Sequence, residues 1–154
     1  MSRPFSFYDT VLCPEHPHEE GATLEFFRDL GSKGVLETNM VQCRRIPTGS
    51  IFILKKVACY SLESWGPEEV GAGVRYHFKT GDYLQAEGIV NDEPGLKKGP
   101  RIGAPGDRPS SIKITSDDDF IGRVEIPAGL PDHVRKALSL APIRMVMVGS
   151  LEIG

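Results

Sequence analysis

Thr38-Asn39-Met40-Val41-Gln42 opens the stretch that decides the fold, which continues through Ile46-Pro47-Thr48-Gly49-Ser50 into the apolar run from Ile51 to Tyr60. The stretch predicts a polar corner, a turn at the proline and glycine, and then a long strand that is buried on both faces at its start. It contains no catalytic motif. It therefore favours a protein whose function depends on its shape more than on a reaction.

Length and charge bound the class of protein. A chain of 154 residues suits one domain with one hydrophobic core. Its net charge of -3 lacks the basic excess that nucleic-acid binding requires, so we expect no specific nucleic-acid partner. No segment reaches the roughly 20 apolar residues of a membrane-spanning helix, and the N-terminus has no apolar signal core. We therefore expect a soluble, unprocessed chain.

Alternating apolar and polar residues predict most of the strands. Val74, Tyr76 and Phe78 alternate with polar residues, which predicts a strand with one face in the core and one in water. The run from Ile143 to Ile153 is apolar on a second face at its centre, so we expect it to be internal to a sheet or covered on both sides. Further strands are predicted at Thr23 to Phe27, Val35 to Glu37, Tyr83 to Ile89, Ser111 to Thr115 and Phe120 to Ile126.

The number and spacing of these segments predict the fold class. With the strand that begins near Ile51 they give about eight strands separated by turn signals, which is typical of a β-sandwich or jelly roll. One helix is predicted after Gly129, where Pro131 and Asp132 suit a first turn and Pro142 ends the run. We therefore predict an all-β fold, a single jelly roll or antiparallel β-sandwich with one short helix.

Two segments fall outside the predicted core. Residues 1–22 begin with aromatic side chains and continue into a run rich in proline and acid, so we predict an extended N-terminal arm that packs on a neighbour. Residues 91–110 are rich in glycine and proline, which is typical of a functional or mobile loop between two strands. The sandwich itself is predicted to span residues 23–154.

Candidate metal ligands are few and lie in loops. His16 and His18 form a His-x-His pair that resembles part of a cupin site, whereas the prolines and acids around them favour a solvated arm. Asp117, Asp118 and Asp119 lack the ligand spacing of a calcium loop and indicate an acidic turn. The three cysteines match neither a metal motif nor a disulfide framework, and we interpret them as small buried residues. We expect no metal and no cofactor.

No motif in the chain predicts enzyme activity. It has no nucleophile elbow, phosphate loop or dinucleotide fingerprint, and its serine, histidine and aspartate residues carry no local signature of a triad. Four basic residues in the loop at 91–110 offer Coulomb attraction to an anionic surface, but neighbouring acids dilute it. We therefore expect a protein that is not an enzyme.

Several short motifs together resemble one family of viral proteins. The Thr-Asn-Met corner, the Pro-x-Gly turn and the strand Phe52-Ile53-Leu54-Lys55-Lys56-Val57 are similar, in this order, to those of jelly-roll capsid proteins from tailless icosahedral bacteriophages. Gly81-Asp82-Tyr83-Leu84 resembles a segment that follows a strand in those proteins. The apolar run that closes at Gly149 and Leu151 resembles their last strand. Cys43-Arg44-Arg45 replaces their usual Ala-Gly pair before the turn.

This resemblance implies a structural virion protein, a capsid subunit that assembles with its own copies into an icosahedral shell. The implied partners are those copies, a second capsid protein and an internal lipid membrane beneath the shell. The implied location is the virion, after synthesis in the host cytoplasm. We predict neighbour contacts at Phe5, Phe7 and Tyr8 in the arm and at Trp65 in a turn, because exposed aromatic side chains are enriched at interface hot spots.

Two other functions stay open from the sequence. A monomeric carbohydrate- or ligand-binding β-sandwich would present Trp65, Tyr76 or Tyr83 beside polar groups on a concave face or loop cluster. A cupin-like metalloenzyme would hold a metal that is lost when His16 or His18 is replaced by alanine.

Overall fold

Two four-stranded antiparallel sheets pack face to face around one core. The computed structural model describes residues 2–12, 21–31, 33–91 and 111–153. Within these residues the chain forms, in order, β1 (Ser2–Val11), β2 (Ala22–Phe26), β3 (Ser50–Ser61), α1 (Pro67–Val70), β4 (Arg75–Thr80), β5 (Tyr83–Ile89), β6 (Ile112–Thr115), β7 (Phe120–Ile126), α2 (Asp132–Ser139) and β8 (Ile143–Ile153). No helix in the described ranges is long and apolar enough to cross a membrane.

The strand order is that of a jelly roll. The first sheet has the order β1-β8-β3-β6 and the second has the order β2-β7-β4-β5. The first strand therefore pairs with the eighth, the second with the seventh, the third with the sixth and the fourth with the fifth, all antiparallel. This nested pairing is a long β-ribbon rolled up on itself, and the pairs β3–β8 and β4–β7 join its turns into sheets. The predicted all-β jelly roll is confirmed.

The inner faces of both sheets supply the core, as the alternation predicted. Tyr76 and Phe78 of β4 are buried, and Ile143, Met145 and Met147 of β8 have no exposed surface. Strand β8 lies between β1 and β3, which confirms that it is internal to its sheet. Burial of each large apolar side chain contributes about 1.5–3 kcal/mol to folding, so these strands are held mainly by their inward faces.

A β-bulge in β3 explains how two consecutive lysines fit into a strand whose other residues alternate between core and surface. Leu54 pairs with Gly149 while Lys56 pairs with Val148, so Lys55 is the extra residue on its strand. Because of this insertion Leu54 and Val57 both face the core, although two exposed lysines separate them. A Cβ atom on Gly149 would overlap the carbonyl group of Ile53, so only glycine fits opposite the bulge.

The helices and one loop differ in part from the predictions. Helix α2 forms where it was predicted, but a second helix, α1, follows Gly66, so the described residues hold two short helices and not one. Pro67 begins α1, and the Glu69 side chain accepts a hydrogen bond from the Gly66 N–H at 3.3 Å. The prediction of a strand at Val35 to Glu37 is wrong. These residues form a turn in which the Glu37 N–H donates to the Gly34 carbonyl at 2.9 Å.

Part of the predicted N-terminal arm belongs to the sandwich. Residues Ser2–Val11 are β1, an edge strand of the first sheet that is paired with β8 along its whole length. The physical reason is an alternation that turns Phe5 and Phe7 inward and Tyr8 outward. The acidic part of that arm, residues 13–20, and most of the predicted loop, residues 92–110, lie outside the described residues.

Candidate interaction surface

The outer face of the first sheet has an apolar centre. Across the sheet, Val146 of β8 lies between Tyr8 of β1 and Ala58 of β3. Val148 and Ile53 extend this outward-facing surface along the strands, and all five side chains are half-buried, but exposed Lys56 pairs with Val148 and brings a charge to that part of the face. In an antiparallel sheet with a solvated outer face, these positions are usually polar. We call Tyr8, Ile53, Ala58, Val146 and Val148 the apolar face.

A loop seals the free edge of β1 beside the apolar face. The Asn39 side chain accepts a hydrogen bond from the Tyr8 N–H at 2.8 Å and donates one to the Ser6 carbonyl at 2.7 Å. The Thr38 hydroxyl donates to the Tyr8 carbonyl at 2.9 Å. The amide of Asn39 thus occupies hydrogen-bonding positions that another strand would use, which protects the edge from pairing with other chains. This is the physical role of the Thr-Asn-Met corner, whose Met40 is buried in the core.

A second asparagine closes part of the opposite side of the same sheet. Strand β6 pairs only with residues 51–54 of β3 and leaves the later part of β3 without a neighbouring strand on that side among the described residues. There the Asn91 N–H donates to the Cys59 carbonyl at 2.9 Å, and its side-chain oxygen accepts from the Ser61 N–H at 2.8 Å. Asn91 has a positive φ of 74°, a conformation that asparagine tolerates better than most residues.

The loop of residues 33–42, which we call the edge loop, carries two exposed apolar side chains to the apolar face. The Tyr8 hydroxyl donates to the Val35 carbonyl and the Arg144 guanidinium donates to the Leu36 carbonyl. The Arg144 guanidinium also lies 4.9 Å from the centre of the Tyr8 ring and donates to the Thr10 hydroxyl at 3.0 Å. Val35 and Leu36 themselves are 79% and 84% exposed. They therefore extend the apolar surface beyond the sheet.

The outer face of the second sheet is charged instead. One row across its four strands reads Glu25, Arg123, His77 and Glu87. Arg123 donates to the Glu25 carboxylate at 3.2 Å. Burial would raise the pKa of Glu25, but the hydrogen bonds and charges of Arg28 and Arg123 together hold it below its usual value. This face has the polar surface expected of a solvated sheet, so the apolar face is the stronger candidate for an interface.

Burial, together with nearby Lys79 and Arg123, lowers the pKa of His77, although Glu125 and Glu87 oppose the shift.

Among the thiols, burial raises the pKa of Cys59, which is an inert core residue. Cys43 is exposed, so the prediction that every cysteine is buried is wrong for this one.

A polar cleft of about 680 Å³ lies between the end of β1, β2 and the edge loop. Beside it, the fully buried carboxylate of Asp9 accepts hydrogen bonds from the Phe27 N–H at 2.7 Å and the Lys33 ammonium at 2.9 Å. Phe27 has a positive φ of 67°, which costs a bulky residue on the order of 1–3 kcal/mol. Asp9 therefore serves to fix the chain after β2.

The four predicted interface residues occupy different environments. Phe7 is buried in the core, where its ring meets that of Phe52 at 5.1 Å, so it contributes no surface in this structure. Phe5 is partly buried against Phe7, and Trp65 packs partly on the core. The indole N–H of Trp65 is buried without a hydrogen-bond partner in the described part of the chain. Tyr8 alone of the four lies on the apolar face.

The residues expected of a binding module are not brought onto one face. Tyr76 points into the core, Tyr83 is exposed where β5 begins, and Trp65 precedes α1. The Asp118 carboxylate accepts from the Thr115 N–H at 2.8 Å, which makes it part of the acidic turn. Within the described ranges no group of three or more histidine, cysteine or acidic residues is placed to hold a metal. The predicted His-x-His pair, His16 and His18, lies outside those ranges.

Sequence reasoning missed the residues that organise the apolar face. Its prediction that the last strand is internal to a sheet or covered on both sides rested on the valines of that strand, and these do lie on the apolar face. Arg144 and Leu36 carried no signal, and Asn39 was predicted only as part of a polar corner, because their roles depend on pairs more than 25 residues apart along the chain.

Comparisons with known proteins add no relative. A scan against protein-family models gives no match. Searches of curated proteins and of solved structures also give none. The resemblance to phage capsid proteins therefore rests on the sequence motifs alone.

Proposed function

We propose that this protein is a structural subunit of an icosahedral virion shell, and that it assembles with copies of itself through the surfaces of its jelly roll. The observation that carries the proposal is the contrast between the two outer faces. A domain that works alone has no need of an apolar row such as Tyr8, Val146 and Ala58 across an outer sheet face, whereas a subunit buries such a row against neighbours. The capsid-like order of motifs along the sequence adds to this.

The fold suits such a role for physical reasons. A two-sheet body with hydrogen bonds across every pair of neighbouring strands is stiff, so it holds its surfaces in fixed relative directions, which closed symmetric assembly requires. The side-chain seal on β1 blocks growth by strand addition at that edge. Faces and loops are then left for contacts with other copies, with a second capsid protein and with a lipid membrane beneath the shell.

The test compares two lysine substitutions by light scattering and negative-stain microscopy at several salt concentrations. Val146→Lys places a charge between Tyr8 and Ala58, at the centre of the apolar face. Thr23→Lys places the same charge on the exposed outer face of the second sheet. We expect the wild type and Thr23→Lys to form capsomers, sheets or shells, and Val146→Lys to stay monomeric. A wild-type protein that is monomeric under every condition, with or without phospholipid vesicles, contradicts the proposal.

The second candidate function is a monomeric ligand-binding module, which the polar cleft of about 680 Å³ favours. Its lining includes Thr23, Glu25, Arg28 and Asp29, which offer both donors and acceptors to a sugar or another polar ligand. Binding of a glycan by the monomer, lost on Asp29→Ala, would support this function over the first.

A further inference from the structure

A buried ion pair and a strained backbone position meet beside the polar cleft. The Asp9 side chain has no exposed surface, and Lys33, the first residue of the edge loop, reaches it with a side chain that is 17% exposed. One oxygen of the carboxylate accepts a hydrogen bond from the Lys33 Nζ at 2.9 Å, and the other accepts one from the Phe27 N–H at 2.7 Å. The carboxylate therefore lies between an amine nitrogen and a backbone donor.

The conformation of Phe27 marks this place as unusual. Its φ of 67° lies in the left-handed region, which bulky residues avoid, and strain of this kind is concentrated at functional positions. The Phe27 ring packs on the rings of Phe78 and Phe120 in the core. The same residue directs its N–H at the buried carboxylate of Asp9. The strain therefore accompanies a backbone donor that is fixed on one carboxylate oxygen.

Burial makes the ion pair a costly arrangement. Two opposite charges that leave water lose hydration, which their mutual attraction returns only in part. An amide bond between the two side chains would carry no charge, and its carbonyl oxygen would keep the hydrogen bond from Phe27. The environment of Asp9 therefore favours the amide over the two separate charges.

We propose that Lys33 and Asp9 become joined by an isopeptide bond, an amide between the Lys33 Nζ and the Asp9 Cγ that forms spontaneously once the chain has folded. This covalent modification goes beyond the proposed function. It ties β1 to the edge loop, two segments whose linked residues are 24 positions apart in the sequence.

The two reacting atoms are close together. Nζ lies 2.9 Å from Oδ1, and a C–O bond adds at most about 1.2 Å, so Nζ lies within about 4 Å of Cγ. Groups held about 3–3.5 Å apart in a suitable orientation react as if at concentrations of about 10⁵ M or more. Lys33 lines the cleft of about 680 Å³, which gives its amine room to turn above the plane of the carboxylate.

The reaction balances without any further reactant. A proton passes from the Lys33 ammonium to Oδ1 along their hydrogen bond, which leaves an amine and a carboxylic acid. The amine attacks Cγ and forms the N–C bond, and Oδ2 takes the negative charge. The Phe27 N–H stabilises that charge, since its distance of 2.7 Å is typical of an oxyanion hole. A second proton then moves from the nitrogen to the Oδ1 hydroxyl, the C–O bond breaks and water leaves into the cleft.

The mass of the purified, denatured protein tests the proposal. We expect the wild type to be lighter than its sequence requires by the mass of one water molecule. Lys33→Arg should have its full mass, because the guanidinium keeps the ion pair but does not form this amide. A wild-type protein of full mass, both when freshly purified and after prolonged incubation in the folded state, would overturn the proposal.

Digestion with trypsin locates the bond. In the wild type we expect no cut after Lys33 and a branched peptide that joins residues 1–28 to residues 29–44, which end at arginines. A cyclic imide at an aspartate has the same mass deficit but leaves Lys33 open to trypsin. A protein that has the deficit and is still cut after Lys33 would therefore reject the isopeptide bond.

Thermal unfolding provides a second readout. Like a disulfide, the bond restricts the unfolded chain, so the wild type is expected to melt roughly 10 °C above Lys33→Arg. Circular dichroism checks that this variant is folded. The mass of the denatured chain does not depend on assembly, so the two proposals fail separately. A full-mass protein that forms shells would support the proposed function alone, and a cross-linked monomer that never assembles would support the isopeptide bond alone.

Discussion

Met145 of the first sheet occupies the space directly above Gly122 of the second sheet. A Cβ atom on Gly122 would lie 2.9 Å from Cε of Met145 and still closer to its sulfur. Any larger residue at position 122 would therefore overlap the methionine side chain. The pair holds the two sheets together at the middle of the sandwich, where Met145 has no exposed surface.

Gly122→Ala is therefore expected to destabilise the protein by about 1–3 kcal/mol through overpacking, measured by urea unfolding. A smaller side chain at position 145 relieves the overlap. Gly122→Ala with Met145→Val should consequently cost less than the sum of the two single changes. Gly34→Ala is the matched control, since a Cβ there meets nothing within 4 Å. Additive effects at positions 122 and 145 would contradict this account.

The hydrogen bonds of Asn39 to the edge of β1 predict that replacing its amide NH2 group by an oxygen atom lowers the stability of the protein. Asn39→Asp keeps an acceptor for the Tyr8 N–H but loses the donor to the Ser6 carbonyl. We expect a loss of about 1–3 kcal/mol in the free energy of unfolding and faster aggregation at the exposed edge. Gln42→Ala, on the same loop, removes only a long hydrogen bond to Thr48 of 3.4 Å and should change stability by about 0.5 kcal/mol or less. Equal effects of the two substitutions would argue against the seal.

Neighbouring residues of β1 are expected to separate stability from association. Phe7→Ala removes a core ring and should cost about 3–5 kcal/mol in thermal or urea unfolding. Tyr8→Ser removes part of the apolar face, so it should weaken self-association measured by light scattering while costing less in unfolding. A Tyr8 variant that associates like the wild type would remove this residue from the interface.

Stability should fall with acidification in two steps. The folded protein holds His77 at a pKa below its ordinary value of 6.5, so the unfolded chain binds that proton first and stability is lost as the pH falls below about 6.5. Glu25, whose pKa lies below 4.5, adds a second loss below about pH 4.5. His77→Gln should flatten the first step in urea unfolding measured between pH 5 and pH 7. An unchanged slope in that variant would show that other groups cause it.

Local patterns in the sequence predicted the elements of the fold well where one face is buried. The alternation at Val74, Tyr76 and Phe78 identified β4 and its inward face, and the doubly apolar centre of β8 identified an internal strand. The same reasoning failed at Val35 and Leu36, because two apolar residues on an exposed turn give the same local pattern as a short strand.

Local sequence patterns could not predict which strands pair when they lie far apart along the chain. Aromatic residues near the N-terminus indicated a sticky arm, yet Phe7 belongs to the core because β1 finds β8 at the far end of the chain. The bulge at Lys55 is likewise visible only in the pairing of β3 with Gly149 and Val148.

The backbone hydrogen bonds of β1 are of two kinds, those made with the side chain of Asn39 and those in the ladder to β8. The N–H of Tyr8 is held by a side chain on a loop, whereas Phe7 and Asp9 lie opposite Met147 and Met145 within the ladder to β8. A loop moves away from an edge more easily than two strands separate. In hydrogen–deuterium exchange, neighbouring amides of this one strand should therefore report two motions, the brief opening of the loop at Tyr8 and the rare unfolding of the whole sheet beside it.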